Sequence, residues 1–451
     1  MLKKLFVLGC TWCNLSYSLT FPVPQSMSNN MSVLVINAKT GKTIYSHNAG
    51  TPRLVASNMK LITAAVALKE LNPDFRWHTK LFYTGTVNGN TLDGNLYLLG
   101  GGDPTIDDRA INEIFSQLEK LGIKKIKGDL ILDTTIFNSK PTYSMLKIEN
   151  YDVDTILPAG LIVDGNISRF TFHVNKQKIT IDNNLYGYEI KNKLTFDSKL
   201  IYCTDLSSLI DVQDNKIVFK GSIAAQCNNQ VIELNLVDNE NYTKMAINRA
   251  LDELSIKLKG QILYQSAPNE ANLVYDYSSQ SLEDALIYMN HYSVNLIAEA
   301  ALLTLGAYTT SNTNTYNDGK SVYNQFMQEN HLTNSKFKLE NGAGLSRTEF
   351  VSAVAMGHLL LNEANSQNFE ATLPRSGMEG SLKSSFANFQ NRVLFKTGTL
   401  NDTRAYSGYF YNRHGTKYVV VAIVNNVNTN DPNQMITFNG WVNKLLSKLD
   451  K

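Results

Sequence analysis

Residues 57–71 read Ser57-Asn-Met-Lys60-Leu-Ile-Thr-Ala-Ala-Val-Ala-Leu-Lys-Glu-Leu71, and this stretch decides the fold. Its apolar residues follow a helical period in two stripes, one of Leu61, Ala64, Ala65 and Leu68 and the other of Met59, Ile62 and Val66. A helix that is apolar almost all round belongs in the centre of a domain. Because residues three apart lie on one face of a helix, Ser57 and Lys60 are predicted to be neighbours, with Cβ atoms roughly 5–6 Å apart.

The rest of the chain is organised around this helix. Strands are predicted on both sides of it in sequence, at 32–36 and 43–45 before it and at 393–396, 407–411 and 418–424 near the end of the chain. Residues 81–270 consist mainly of short alternating strands, and the helical period returns from Leu282 to Leu305. This order predicts one discontinuous α/β domain, 24–80 and 270–451, with an inserted β-rich domain at 81–165 and 227–269 and a nested one at 166–226.

Composition excludes several classes of protein. The chain has 451 residues, of which 43% are hydrophobic, enough for a buried core and too many for a disordered chain. The 42 basic and 40 acidic residues give a net charge of +2, which argues against a nucleic-acid partner. No later stretch reaches about 18 consecutive apolar residues, so no membrane span is predicted. The seven histidines show no metal-ligand spacing, and neither a metal nor a cofactor is predicted.

The N-terminus resembles a signal peptide at residues 1–18. Lys3 and Lys4 precede an apolar run, and small residues near Ser18 favour cleavage after that position. Two alternatives stay open. The segment could instead be a buried helix, and Cys10 stands in a sequence like a lipoprotein box, although the apolar run before it is short.

Export changes the interpretation of the cysteines. Removal of the leader leaves Cys203 and Cys227 as a pair, and an oxidising compartment favours a disulfide between them. Two separate buried thiols are the alternative. Neither cysteine lies beside a histidine in a catalytic pattern, so a thiol nucleophile is not predicted.

Three short motifs occur in order, namely Ser57-Asn-Met-Lys60, Ser293-Val-Asn295 and Lys396-Thr-Gly398-Thr399. Each is weak alone, since Ser-x-x-Lys recurs at Ser144 and Ser335. Sequence context separates the three copies of the first motif. Only Ser57 begins a buried helix, whereas Ser144 lies in a polar, loop-like stretch and Ser335 begins a strand-like alternation that would put its lysine on the opposite face.

The residue types of these motifs suit acyl transfer. A serine hydroxyl such as that of Ser57 is a weak nucleophile until a neighbouring base removes its proton. Lys60 can be that base if burial and a second cation, Lys396, depress its pKa. We expect Ser293 to relay a proton to the leaving group, and Asn295 to hold Lys60 and a substrate amide.

The third motif is predicted to bind the substrate. Lys396 would also attract a carboxylate, and Thr397, Gly398 and Thr399 form the predicted substrate-binding strand. Backbone N–H groups of Ser57 and Thr399 are predicted to form an oxyanion hole. Gly398 is expected to let the substrate backbone approach the strand closely.

Taken together, the motifs resemble those of the penicillin-recognising serine enzymes. More narrowly, the chain resembles the D-alanyl-D-alanine carboxypeptidase/endopeptidase family, peptidase family S13 of the penicillin-binding protein 4 type. The resemblance extends to four further stretches, at 99–106, 293–299, 341–347 and 373–382. Three positions depart from the usual family residues, with Asn341 in place of Asp, Ser381 in place of Thr and Phe395 in place of a small residue.

The resemblance implies a penicillin-binding-protein/β-lactamase-like α/β fold with nested insertions, and an enzyme that cleaves peptidoglycan stem peptides and cross-links. The plain signal peptide without an anchor favours the periplasm over an exterior surface. The resemblance also implies acylation by β-lactam antibiotics and, in some members, a homodimer. A β-lactamase is one alternative, although the Glu-x-x-Leu-Asn motif of class A enzymes is missing between Ser293 and Lys396. A non-catalytic wall-binding protein of the same fold is another. Weaker candidates for substrate contact are Arg347 and Arg375 for a carboxylate and Asp133 for an amine.

Overall fold

The computed structural model describes residues 19–141, 151–182, 185–203, 205–213, 215–311, 313–332 and 337–451. The predicted leader, 1–18, lies outside the described residues, as do Ser144 and Ser335. Within the described ranges, no helix is both long enough and apolar enough to cross a membrane.

Strands of the described residues are numbered in chain order. They are β1 (Met31–Asn37), β2 (Thr43–His47), β3 (Pro52–Arg53), β4 (His78–Tyr83), β5 (Thr86–Asn88), β6 (Thr91–Asp93), β7 (Leu96–Leu99), β8 (Lys125–Ile126), β9 (Leu130–Asp133), β10 (Ser168–His173), β11 (Lys178–Ile181), β12 (Glu189–Phe196), β13 (Ile210–Gln213), β14 (Lys216–Ile223), β15 (Gln230–Leu234), β16 (Lys257–Leu258), β17 (Ile262–Tyr264), β18 (Asn272–Ser278), β19 (Val351–Ser352), β20 (Val393–Leu400), β21 (Thr403–Tyr411) and β22 (Lys417–Asn425).

The α-helices of the described residues are numbered in the same way. They are α1 (Met59–Glu70), α2 (Asp108–Lys120), α3 (Asn239–Glu253), α4 (Leu282–Tyr292), α5 (Asn295–Thr309), α6 (Thr315–Glu329), α7 (Ala353–Asn362), α8 (Gln367–Ala371) and α9 (Pro432–Leu449).

A five-stranded antiparallel sheet joins the two ends of the chain, in the order β2-β1-β22-β21-β20. Alternate side chains of β22 enter two different cores. Val419, Val421 and Ile423 pack on the side of α1, whereas Val420, Ala422 and Val424 pack on the side of α9. Because both faces are covered by helices, the strand is a continuous apolar run rather than an alternating one. The mixed α/β fold class predicted from the sequence is confirmed.

Helix α1 lies in the centre of the larger of these two cores. Its residues from Met59 to Ala67 are all buried, and it packs against α4 and α5. Burial on every side is what the two apolar stripes predict. The helix therefore holds the first motif at a fixed position beneath the edge strand β20.

The inserted residues form their own sheets around a separate core with α2 and α3. The sheet orders are β17-β9-β7-β4-β18, β16-β8-β6-β5, β11-β10-β15 and β12-β14-β13. Two pairings cross the predicted domain limits. Strand β18 pairs with β4, and the limit at 80/81 divides β4 so that only its residues 81–83 pair across it. Strand β15 pairs with β10 across the limit at 226/227. The predicted domain limits themselves remain predictions.

Cys203 and Cys227 are joined in a disulfide, as predicted, and the bridge spans 24 positions. Cys227 is fully buried in the core of the insertion, and Cys203 packs against that core. The bridge therefore ties the loop after β12 to the short 3-10 turn, Ala225–Cys227, between β14 and β15.

Reduction of this bridge is expected to lower the free energy of unfolding of the insertion by about 3 kcal/mol, because opening a loop of this size restores entropy to the unfolded chain. Urea unfolding with and without reductant measures the effect. A double variant, Cys203→Ser with Cys227→Ser, should not respond to reductant. Identical unfolding curves for the oxidised and reduced protein would contradict the prediction.

Candidate active site

Ser57 lies in a 3-10 turn, Ala56–Asn58, that leads directly into α1. The turn is tight, since Ala56 has a φ of 48°. Gly344 approaches it so closely that a Cβ there would lie 1.9 Å from the carbonyl oxygen of Ala56, and its own φ is +87°. Only glycine fits this contact, which lets the 341–346 loop cover one side of the turn. Ser57 itself is half-buried.

The amine of Lys60 is fully buried and has three oxygen neighbours. Its Nζ lies 3.2 Å from Ser57 Oγ, 2.6 Å from Asn295 Oδ1 and 2.7 Å from the carbonyl oxygen of Ala343. Burial lowers the pKa of Lys60 to about 8, against the opposing effect of three carboxylates, those of Asp154, Glu299 and Glu349. An amine with this pKa is partly neutral near pH 7 and is able to accept a proton.

Ser293 and Lys396 form the second pair of the site. Ser293 ends α4 in the left-handed conformation, with a φ of 63°, and this turn directs it toward the edge strand. The Nζ of Lys396 donates to Ser293 Oγ at 2.9 Å and to the carbonyl oxygen of Thr397 at 2.9 Å. Burial lowers the pKa of Lys396 well below its usual value, and the charges of Lys60 and Arg404 lower it further.

Asn295, the first residue of α5, connects Lys60 with Asp154. Its Oδ1 accepts from Lys60, and its Nδ2 donates to Asp154 at 3.0 Å (Oδ1) and 3.3 Å (carbonyl oxygen). The predicted contact of Asn295 with Lys60 is thus present. Asn295 was also expected to hold a substrate amide, but its Nδ2 donates to Asp154 in this structure.

A buried loop supplies the carbonyl oxygen that Lys60 contacts. The carboxylate of Glu349 accepts hydrogen bonds from the backbone N–H groups of residues 340, 341, 342 and 344. Asn341 Oδ1 accepts from the N–H groups of Ala343 and Gly344, and its Nδ2 donates to Glu299. These bonds fix the loop, so the carbonyl group of Ala343 is held in place for Lys60.

A cavity of about 330 Å³ opens above these groups. It is lined by Ser57, Asp154, Tyr292, Ser293, Asn295, Gly344, Leu345, Thr397, Thr399 and Leu400. Lys60 and Lys396 lie beneath it, each bonded to one of the two serines. The structure therefore brings together the five residues predicted to be catalytic, with Thr397 and Thr399 in the wall.

The physical reason for a glycine at position 398 differs from the predicted one. A Cβ at this position would lie 2.5 Å from the carbonyl oxygen of Val55 and 3.1 Å from the Cβ of Ala56. The absence of a side chain therefore lets β20 pack against the turn that carries Ser57. It does not make room for a substrate in the cavity.

The weaker candidates lie outside the lining of the cavity. Arg347 pairs with Asp402 at 2.6 Å, and Arg375 lies 3.6 Å from Glu370. The carboxylate of Asp133 accepts from Thr135 and from the backbone N–H of Ala267, so it joins two segments of the insertion. None of the three contacts proposed for these residues is supported by the geometry.

Sequence reasoning missed Asp154, Tyr292, Glu299 and Glu349. Tyr292 had a signal in the sequence, because it directly precedes Ser293. In the structure the residue is 61% exposed, at the end of α4. Asp154 lies in a short 3-10 turn, Val153–Thr155, that no pattern marks out. Glu299 lies in the motif stretch 293–299, and Glu349 follows the stretch 341–347. The burial of both glutamates depends on contacts with residues that are distant in sequence.

Comparison with known proteins identifies relatives over nearly the whole chain. The family model "D-Ala-D-Ala carboxypeptidase 3 (S13) family" matches residues 18–445. The D-alanyl-D-alanine carboxypeptidase DacB of Haemophilus influenzae is 26% identical over 437 residues, covering 93% of this chain and 90% of the relative. The D-alanyl-D-alanine carboxypeptidase of Actinomadura sp. (strain R39) is 26% identical over 420 residues, covering 87% and 77%.

A solved structure shows the same architecture. The crystal structure of penicillin binding protein 4 (dacB) from Haemophilus influenzae superposes with a TM-score of 0.79 at 25% identity, covering 95% of this chain and 98% of that one. The predicted penicillin-binding-protein-like fold and the family resemblance are confirmed.

Proposed function

Because the chain belongs to the D-Ala-D-Ala carboxypeptidase 3 (S13) family, we propose that it releases the terminal D-Ala of peptidoglycan stem peptides through an acyl-enzyme on Ser57. The observation that carries the proposal is the buried Lys60 amine, which contacts the Ser57 hydroxyl at 3.2 Å. No solvent-exposed lysine would be a base near neutral pH, since its pKa would stay near 10.

Acylation begins with Lys60. Its neutral form takes the proton of Ser57 Oγ, and the oxygen forms a bond to the carbonyl carbon of the penultimate D-Ala. With a pKa of about 8, roughly one-tenth of the amine is neutral at pH 7. Asn295 Oδ1 and the carbonyl oxygen of Ala343 hold the ammonium that results.

Two backbone N–H groups stabilise the oxyanion. Ser57 lies in the 3-10 turn that leads into α1, where N–H groups lack helical acceptors. The carbonyl oxygen of Val393 accepts from the backbone N–H of Ser376 at the outer edge of β20, so residues 395, 397 and 399 direct their backbone groups to that same edge. The N–H of Thr399 therefore points out of the sheet beside the cavity, which supports the predicted oxyanion hole.

The leaving nitrogen needs a proton when its bond to the carbonyl carbon breaks. Ser293 Oγ lies in the same cavity wall as Ser57, and Lys396 donates to it. Ser293 passes its proton to the departing amine, and the proton that Lys60 took from Ser57 replaces it on Ser293 by way of the Lys396 amine, so Lys60 is neutral again. Water then attacks the ester, with Lys60 again as the base, and frees Ser57.

The same site is proposed to act on D-Ala cross-links and to be acylated by β-lactam antibiotics. A cross-link presents the same D-Ala carbonyl group with a larger amine as the leaving group. A β-lactam presents a strained amide beside a carboxylate, and its leaving group stays tethered after the ring opens. The stalled ester then outlives a normal turnover.

Free D-Ala released from a pentapeptide is the test of the proposal. A carboxypeptidase should release one equivalent per peptide and turn over a chromogenic cephalosporin slowly. Rapid cephalosporin turnover without D-Ala release would identify a β-lactamase instead. Binding to purified peptidoglycan with neither reaction would identify a non-catalytic wall-binding protein.

We also propose that the enzyme is exported to the periplasm, where its substrate lies. Fractionation of cells that express the full chain, with and without residues 1–18, tests this. Light scattering of the purified protein decides whether it forms the homodimer that the family resemblance implies for some members.

A further inference from the structure

A groove of about 370 Å³ lies in the nested insertion, between the edges of two small sheets. Strand β11 is the last strand of the sheet β11-β10-β15, and β12 is the last strand of the sheet β12-β14-β13. Within the described ranges, neither strand has a partner strand on its outer side. A hydrogen bond of 3.0 Å from Asn192 Nδ2 to the carbonyl oxygen of Gln177 bridges the two edges. The groove is therefore a gap between two open sheet edges.

The backbones of both strands direct hydrogen-bonding groups into this gap. Residues of an antiparallel pair alternate in direction, so the bonds of β11 to β10 leave the backbone groups of Ile179 and Ile181 pointing outward. The bonds of β12 to β14 likewise leave those of residues 190, 192, 194 and 196 pointing outward, where the N–H of Leu194 already donates to Asn192 Oδ1. Open edges of this kind bind extended peptides through main-chain hydrogen bonds.

The groove has an apolar floor and a polar rim. Phe172 and Ile223 are buried beneath it, and Ile179 and Leu194 pack against the same core. Phe196 also lines the groove and is 54% exposed. An apolar floor with a few polar groups around it is the usual composition of a ligand site. The polar residues of the rim are His173, Gln177, Lys178, Asn192 and Thr195.

The charge at the rim is positive. Lys178 lines the groove, and Lys176 lies in the short turn before β11. Among the ion pairs of the described residues, none includes either lysine, whereas the carboxylate of Glu189 on β12 is shared by Lys191 and Lys216. Ammonium groups without an acidic partner favour an occupant that carries carboxylates.

We propose that this groove is a second, non-catalytic site for peptidoglycan, which binds an acidic stem peptide in extended form between β11 and β12. This inference rests on the proposed function. Strand β11 has four residues, so its edge matches a segment of about 13 Å, the length of the four-residue stem that release of D-Ala leaves. Carboxylates of the stem meet Lys178 and Lys176, and its methyl groups cover the apolar floor.

A site of this kind would keep the enzyme on its polymeric substrate. A stem bound in the groove holds the catalytic cavity near other stems of the same polymer and so raises their effective concentration. The groove should therefore affect the reaction on whole peptidoglycan but not the reaction on a small soluble peptide.

Binding to purified peptidoglycan sacculi tests the proposal, in a Ser57→Ala background so that the polymer is not digested. Lys178→Glu and Phe196→Ser should each raise the dissociation constant in a pelleting assay roughly three- to tenfold, since one reverses a charge and the other removes an exposed aromatic surface. The matched controls, Lys199→Glu and Tyr202→Ser, change exposed residues of the same insertion outside the groove lining and should bind as the parent does. Equal binding by groove variants and controls would overturn the inference.

Soluble probes identify the part of the polymer that binds. Free tetrapeptide stems, released from the same sacculi by an amidase, should displace the protein from sacculi, whereas glycan chains without peptides should not. Displacement by the bare glycan chains, or equal displacement by an acidic peptide of L-residues such as Glu-Val-Glu-Val-Glu, would overturn the assignment to the stem peptide.

Activity separates this inference from the proposed function. With Ser57 intact, Lys178→Glu should release D-Ala from a soluble pentapeptide at the wild-type kcat/KM, but from sacculi several-fold more slowly than the wild type. Equal rates on sacculi for Lys178→Glu and Lys199→Glu would overturn the inference. Wild-type protein that releases no D-Ala from the soluble peptide would overturn the proposed function, and the binding data would still decide the role of the groove.

Discussion

Ser57→Ala protein is expected to release no measurable D-Ala and to take up no fluorescent penicillin. The substitution removes the only atom of this site that forms a covalent bond to the carbonyl carbon, while Lys60 and the oxyanion donors stay in place. Loss of a serine nucleophile lowers kcat by a factor on the order of 10⁴ or more. The Ser57 side chain makes one described hydrogen bond, to Lys60, so the fold should be barely disturbed.

Ser144→Ala is the matched control, because Ser144 begins another copy of the Ser-x-x-Lys motif. It should label with penicillin and release D-Ala as the wild type does. Labelling in gel after brief incubation, with mass spectrometry of the labelled peptide, locates the bond. Undiminished labelling of Ser57→Ala, or loss of labelling only in Ser144→Ala, would refute the assignment of the nucleophile.

The central helix shows how much the sequence predicts locally. The apolar stripes of 57–71 predict a buried helix, and the structure has α1 at Met59–Glu70. The difference lies at its start, where Ser57 belongs to a 3-10 turn rather than to the helix itself. The Ser57–Lys60 contact survives this difference, because three residues separate the two side chains in either kind of turn.

Contacts between distant segments could not be predicted. Lys60 bonds to the carbonyl oxygen of Ala343, which is 283 positions away, and the loop that carries it is held by the buried Glu349. A buried glutamate has no periodic signal, because its burial depends on four backbone N–H groups that converge on it. Sequence reasoning therefore found the groups that react but not the groups that hold them.

The alternation of side chains along β20 determines the face of the sheet on which Phe395 lies. The sequence left open whether this large residue before Lys396 changes the shape of the cleft. In the structure its ring is fully buried, packs against Phe386 and Tyr406, and belongs to the core beneath α9. Successive side chains of a strand point to opposite faces, so Phe395 lies away from the side on which Lys396 meets Ser293.

The pH profile of acylation is expected to follow Lys60. The second-order rate of acylation by penicillin should rise with pH toward about 8 and then level off, because the base must be neutral to accept the Ser57 proton. Lys60→Met keeps much of the side-chain volume but has no base. Its acylation rate should fall by a factor of about 10²–10⁴ and lose this rise with pH.

The charges that face Lys60 determine where the profile bends. Burial disfavours its ammonium form, and the carboxylates of Asp154, Glu299 and Glu349 favour it. The other buried amine, Lys396, has its own pKa lowered by burial and by the charge of Lys60. Glu299 is the best of the three to change, since Asn341 Nδ2 donates to its Oε1 and the amide oxygen of a glutamine can accept the same bond. Glu349 holds four backbone N–H groups, so its loss would also disturb the loop.

Glu299→Gln should therefore move the acidic limb of the profile to lower pH. Removal of a negative charge destabilises the ammonium form of Lys60, which lowers its pKa and makes the amine neutral at a lower pH. At pH 6 the variant should acylate faster than the wild type, and above pH 9 slightly slower, because a base of lower pKa is a weaker proton acceptor. The control Glu119→Gln, at an exposed site of α2, should match the wild type. Two results would show that Glu299 does not contribute to the charge around Lys60. In one, the acidic limb of the Glu299→Gln profile moves to higher pH. In the other, that limb stays where it is in the wild type, although Lys60→Met has no such limb. If the acidic limb of the pH profile persists in Lys60→Met, another group is the base. Lys396, the other buried amine of the site, would then be the residue to change.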